Sequence, residues 1–229
     1  MRCAAHSAPA EGAGERTARL KMELDEIVKD AAEFLGRWRR ADGGRGIEFA
    51  HAPEVAARVA ARCVGDRMGV CLSGVPGCGK TELMSAIAGF VAAGGRGRLA
   101  MEFAPSLAAR LAARKTYEAK EEMCLARGLW NPVGGDFQRD LVLDDLGAEP
   151  FDVVSFGNHD DPICTALEIR HRAMGCGGRT YATTNLNEPE LRRRYGERVW
   201  SRMCEMFAFV RMPDVDWRRW NRKPPEWGR

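Results

Sequence analysis

No apolar run among the 229 residues approaches the length of a membrane span. The opening Met1-Arg2-Cys3-Ala4-Ala5-His6 leads into Ala-, Gly- and Glu-rich sequence without the apolar core of a secretory signal. None of the eight cysteines forms a C-x-x-C pair or a paired Cys/His spacing, which argues against a zinc site. Several cysteines sit inside apolar patterns, where the thiol acts as a small hydrophobe, and the expectation is a reducing cytoplasm. Charge of one sign is also lacking: the net +3 is too weak to argue for nucleic acid by itself. Its distribution says more, because from Leu191 onward about eleven Lys/Arg face about five Asp/Glu, a basic C-terminal pole on a slightly acidic remainder.

What is present is a phosphate-binding signature. Gly74-Val75-Pro76-Gly77-Cys78-Gly79-Lys80-Thr81 reads G-x-x-x-x-G-K-T, follows the apolar run Val70-Cys71-Leu72, and precedes a helical pattern opening at Glu82. Glycines let the backbone curl so that successive N–H groups face phosphate oxygens, and the helix N-terminus adds partial positive charge. Lys80 would reach the β- and γ-phosphates, and the Thr81 hydroxyl would ligate Mg²⁺. Cys78, inside the loop, is either a packing group or a target for oxidants. ATP and Mg²⁺ are the ligands this pattern calls for.

Along the chain, residues 1 to about 16 read as disordered. Leu20, Leu24, Ile27, Ala31, Phe34 and Trp38 then recur at spacings of four and three, a helical seam. It either packs on the protein's own core or docks a partner. Ala41-Asp42-Gly43-Gly44-Arg45-Gly46 is a linker, so the domain reading is 1–45 as an N-terminal extension and 46–229 as the catalytic domain. A helix over Pro53–Cys63 follows, then strands at Met68–Leu72 and Arg98–Phe103. Ala104 to about Arg127 reads as one helix carrying Arg110, Arg114, Lys115 and Lys120, and Asn131–Asp136 as a loop. Leu141-Val142-Leu143-Asp144-Asp145 is a buried strand ending in two carboxylates. Asp161 caps a helix that begins at Pro162 and that Gly175 can end. Thr180–Asn185 is a strand, Pro189 to about Met206 is mainly helical, and Ala208–Met212 is a last strand. Strands alternating with helices predict a parallel α/β sheet with crossover helices.

Asp144 and Asp145 stand at the sheet edge where ligands bind in such folds. Asp144 would hold Mg²⁺ through water, and Asp145 would polarise the water that attacks the γ-phosphate. Asn185, closing the next strand, would reach that water or the γ-phosphate from the other side.

The runs Leu143-Asp144-Asp145-Leu146-Gly147-Ala148-Glu149, Thr183-Thr184-Asn185-Leu186 and Tyr195-Gly196-Glu197-Arg198-Val199-Trp200-Ser201-Arg202-Met203 resemble the DnaC/IstB-type AAA+ ATPases over roughly residues 68 to 220. These are the bacterial and phage replicative-helicase loaders and the helper ATPases of certain transposons. The resemblance implies a P-loop AAA+ fold, with Lys80 and Thr81 as Walker A, Asp144 and Asp145 as Walker B, and Asn185 as sensor 1. It implies Arg202, with Arg198 as the nearby alternative, as an arginine finger acting on a neighbouring subunit's ATP. Such a finger stabilises charge spreading over the γ-phosphoryl oxygens. The family often carries Glu as the second acid, where this chain has Asp145. About 27 residues follow Arg202, too few for a C-terminal lid domain, and Arg218 and Arg219 resemble the closing Arg-containing segment of the loader branch.

The partners so implied are a replicative helicase or a transposase, further copies of the chain, and single-stranded DNA. Arg110, Arg114, Lys115 and Lys120 would supply sequence-independent phosphate contacts, or they form a solvated face beside Glu118, Glu121 and Glu122. Two rival readings, a small-molecule kinase and a non-hydrolysing ATP-gated adaptor, use the same loop. A kinase needs arginines in cis from a closing lid.

Overall fold

A computed structural model of the chain describes residues 13–37, 55–59, 68–93, 99–126, 140–150, 153–155, 158–174 and 178–220. Five parallel strands form its centre: β1 Gly69–Ser73, β2 Ala100–Phe103, β3 Leu141–Leu146, β6 Thr180–Thr184 and β7 Phe207–Arg211, in the spatial order β2-β3-β6-β1-β7. β1 and β6 are near-continuous apolar or Thr-rich runs because the middle of a parallel sheet is covered on both faces. Helices α2 Lys80–Ala93, α3 Ala104–Ala112, α4 Tyr117–Ala126, α5 Pro162–Ala173 and α6 Glu188–Met206 connect the strands, and a four-residue turn of helix, α7 Trp217–Trp220, follows β7. Two apolar clusters result. One joins Leu107, Leu111, Ile163, Leu167 and Met203 to β3. The other joins Leu83, Met84 and Ile87 to Val70, Leu72 and Tyr181.

The first helix, α1 Ala13–Arg37, resolves the two readings of the N-terminal seam over its second half. Ala31 and Leu35 are buried in the cluster with Leu83, Met84 and Ile87, and the Phe34 ring meets Phe90 edge-on at 5.7 Å. This part of the seam is core packing. Leu24 is half-buried and Met22 is 73 % exposed, while Leu20 and Trp38 fall outside the described side chains. Leu35→Ala should therefore cost about 3 kcal/mol of stability, the usual penalty for emptying a buried leucine site. Chemical denaturation reads it directly, as a lower midpoint at unchanged slope.

The structure corrects several expected boundaries. Residues 13–16 are helical where disorder was expected, and the first strand runs one residue later, ending at Ser73. The expected single helix from Ala104 is two: the Ala113 N–H closes α3 on Ala109, and the Thr116 hydroxyl accepts from Ala119 N to start α4. A serine- or threonine-type cap competes with helix continuation wherever it can satisfy the next turn's free N–H. Asp161 caps α5 as expected, accepting from the N–H groups of Ile163 and Cys164 at 3.1 Å each. An unforeseen antiparallel pair, β4 Val153–Ser155 and β5 Asn158–Asp160, precedes it. The linker at 41–46, the loop at 131–136, Gly175 and most of the helix expected at 53–63 lie outside the described residues. Among the described residues no helix is long and apolar enough to cross a membrane.

Candidate functional site

The strand order decides which side chains meet. β6 lies between β1 and β3, so the end of β6 stands between the phosphate loop that follows β1 and the two acids that end β3. The loop itself, Gly74–Gly79, turns through left-handed backbone at Gly77 (φ 82°) and Gly79 (φ 93°) and delivers Lys80 and Thr81 at the start of α2. Glu82 occupies the first turn of that helix, half-buried.

Lys80 is buried, and its ammonium donates to the carbonyls of Gly74 (2.8 Å) and Val75 (2.9 Å), to Asn185 Oδ1 (2.7 Å) and, weakly, to Cys78 Sγ (3.7 Å). All of these acceptors are neutral. Among the described residues no carboxylate pairs with Lys80, and a buried cation without a counter-ion is costly. The site is thus electrostatically prepared for an anion.

The acids lie beside it. Asp144 Oδ1 accepts from the Thr81 hydroxyl at 3.0 Å and from the Thr183 hydroxyl at 2.6 Å. A β-bulge between Leu143 and Leu146 interrupts the pairing of β3 with β6, and Asp145 adopts a left-handed φ of 56° there. Its N–H turns from the ladder to the Thr183 hydroxyl (2.9 Å), and its carboxylate accepts from Asn185 Nδ2 at 3.3 Å. Bulges of this kind re-aim side chains beside active sites. Asn185 therefore bridges the lysine and the second acid, with its amide oxygen on one and its amide nitrogen on the other. Thr183, buried and bonded to both acids' residues, is the positioning group that sequence reasoning left without a role.

These donors fit a magnesium nucleotide. Hydroxyl and carboxylate oxygens suit Mg²⁺, which keeps most of its water and takes one or two protein oxygens. Thr81 and Asp144 are such a pair, already in contact. When bound, Mg²⁺ would draw charge from the β- and γ-phosphate oxygens. The loop N–H groups and Lys80 would hold the phosphates, Asp145 and Asn185 would orient the water, and Thr183 fixes the two acids.

Arg202 stands elsewhere. Its guanidinium is bonded to Glu168 of α5, and Arg198 Nε lies 3.3 Å from the same carboxylate oxygen. Arg202 precedes by five residues Phe207, which pairs with Gly69 at the start of β1, whereas Lys80 follows the end of β1. The structure brings Lys80, Thr81, Asp144, Asp145 and Asn185 together and leaves Arg202 and Arg198 out.

The basic residues expected on one helix fall on two helices and the break between them. Arg110 is tied to Glu102, Arg114 and Lys115 fall in the break between α3 and α4, and Lys120 lies on α4. Much of the basic C-terminal pole is likewise matched by carboxylates: Arg192 by Glu197, Arg194 by Glu149 and Asp161, and Arg211 by Asp214. Cys71 and Cys124 are buried among apolar side chains, and burial pushes their thiols up to about 12 and about 11, which keeps them protonated.

After β7 the chain recrosses the phosphate loop. Met212 N donates to Ser73 O at 2.7 Å, and Trp217 N donates to Gly77 O at 3.1 Å. Gly77 needs its glycine for its φ, and a Cβ there would also lie 2.0 Å from Asp216 Oδ1 and displace that carboxylate.

Solved structures share this architecture. DnaI is 21 % identical with a TM-score of 0.53, over 79 % of this chain and 93 % of that one. The DnaC helicase loader is 20 % identical with a TM-score of 0.54, over 74 % and 94 %. AMPPCP-bound DnaA from Aquifex aeolicus is 16 % identical with a TM-score of 0.51, over 75 % of this chain and 49 % of that one. No family model matches the sequence, and no curated protein does. The fold, a parallel α/β sheet flanked by helices with a phosphate loop after its first strand, is the P-loop NTPase fold that these structures share.

Proposed function

We propose that this chain is an AAA+ ATPase of the DnaC/IstB type that hydrolyses ATP between subunits and works as a loader or remodelling factor for a replicative helicase on single-stranded DNA, in the cytoplasm. One observation carries the division between subunits. The groups that would take phosphate, metal and water are assembled at one sheet edge, while Arg202 and Arg198 are bonded to Glu168 of α5 and to none of those groups. A site without its arginine binds nucleotide and turns it over slowly, since an arginine finger stabilises charge that develops only in the transition state. A second copy of the chain is the group that completes the site. The motif runs around Asp144, Asn185 and Arg202 support helicase loading as the task, and a transposition helper is the same engine with another client.

The test uses two defective chains. Arg202→Ala keeps a sound phosphate loop and Lys80→Ala keeps a sound finger, so an equimolar mixture restores roughly a quarter of the head-to-tail interfaces. ATPase activity of the mixture well above the sum of the separate chains is the expected outcome, with single-stranded DNA present to promote assembly. No recovery, with mixed assembly verified by crosslinking, overturns the trans reading.

A further inference from the structure

A second polar cluster, which the nucleotide site does not use, lies under the turn after the two acids. Glu149, four residues beyond Asp145, has a fully buried carboxylate (0 % exposed). Its Oε2 accepts from Gly147 N at 2.9 Å, and its Oε1 accepts from the Tyr195 hydroxyl at 2.6 Å and from Arg194 at 3.0 Å. Arg194, 9 % exposed, also reaches the Asp161 carboxylate and stacks over the Tyr195 ring at 4.8 Å. Burial and the Glu149 carboxylate push the Tyr195 phenol far up, so it stays a donor. A buried ion pair of this kind adds little net stability over an apolar filling, but it fixes one geometry.

The geometry it fixes is a break in α6. Tyr195 immediately precedes Gly196, whose φ of 75° and ψ of 163° divide the helix in two. Nothing lies within 4 Å of a Cβ built at Gly196, so no packing holds the break at that point. The half before it is tied to Glu149, and the half after it carries Arg198 and Arg202. Val199, Trp200 and Met203 hold that second half on the core by its apolar face.

We propose that Glu149, through Tyr195 and Arg194, is a positioning residue for the finger: it sets the turn from which Arg198 and Arg202 are presented to a neighbouring subunit. The inference rests on the trans reading above. In the sequence Glu149 stands only as the last residue of the run that holds the two acids.

Complementation separates the two roles. Glu149→Gln should lower ATPase activity about tenfold or more, because small misplacements of a catalytic group cost that much, while ATP affinity changes by less than about twofold. If Glu149 serves the finger, the Glu149→Gln chain is a sound site with a poor finger. It then recovers activity when mixed with Lys80→Ala and does not when mixed with Arg202→Ala. Recovery with Arg202→Ala instead, recovery with neither, or an unchanged rate in Glu149→Gln alone overturns the proposal. Tyr195→Phe, which keeps the Glu149–Arg194 pair, should show the same direction with a smaller loss, and it decides the matter if Glu149→Gln fails to fold. The mixture of Lys80→Ala with Arg202→Ala is run alongside. Its failure sinks the trans reading and the Glu149 role with it, whereas its success with the Glu149 pattern absent sinks only the Glu149 role.

Discussion

Lys80→Ala is expected to weaken Mg²⁺-dependent ATP binding by about a hundredfold or more, roughly 3 kcal/mol, the scale set by truncating one partner of a buried charge pair. The ammonium is the buried cation of the site, and its present partners are two loop carbonyls, an amide oxygen and a thiol. A phosphate offers it a full negative charge in exchange for these dipoles, and charge-assisted hydrogen bonds are about twice as strong as neutral ones. Alanine removes that gain while the loop N–H groups and Thr81 remain. Titration with a fluorescent ATP analogue measures the loss, and a thermal melt of the same chain without nucleotide checks that the loop still folds. Affinity equal to the parent's would overturn the assignment of the loop.

Asp145→Asn is expected to leave ATP affinity within about twofold and to cut hydrolysis about a thousandfold, within the span credited to a positioned acid or base. The substitution suits the backbone, because asparagine tolerates left-handed φ better than other non-glycine residues, and Asp145 sits at φ 56°. Asp144, in contact with Thr81 and Thr183, is untouched. What disappears is the negative charge facing Asn185 Nδ2. Single-turnover hydrolysis under saturating ATP separates chemistry from binding. A mutant that hydrolyses at the parent's rate would show that Asp145 does not polarise the attacking water.

The groups that chemistry demands at fixed spacing were legible in the sequence. Lys80, Thr81 and Asn185 each come after a strand and Asp144 lies near the end of one, and a parallel sheet brings such strand ends to one edge whatever the intervening lengths. Asp161 could be read as a cap because its partners, Ile163 and Cys164, are two and three residues away. The rest depends on partners far along the chain. The bulge at Asp145 forms against Thr183, and Glu149 finds Tyr195, 46 residues on. The split between α3 and α4 turns on Thr116, which sequence did not mark as a cap and which the bond from Ala119 N shows to be one. The Gly196 break was hidden because its flanks keep helical spacing. The seam of α1 gave a face but not what covers it, and Leu35 needed the opposite surface of α2 to be called core.

The strand order also bears on how the chain is made. β1, which carries the phosphate loop, sits between β6 and β7, which among the described strands are the last two to leave the ribosome. Until residues 180–211 are synthesised, Val70-Cys71-Leu72 has neither of its neighbours, and the loop after it lacks the Ser73–Met212 and Gly77–Trp217 bonds that brace it. Long-range parallel pairing is slow, and unpaired apolar strands are exposed to aggregation while they wait. A nascent chain of this protein therefore assembles its phosphate loop only once residues 180–211 are made, so that a truncated product ending before β6 would present a sticky edge instead of a weakened site.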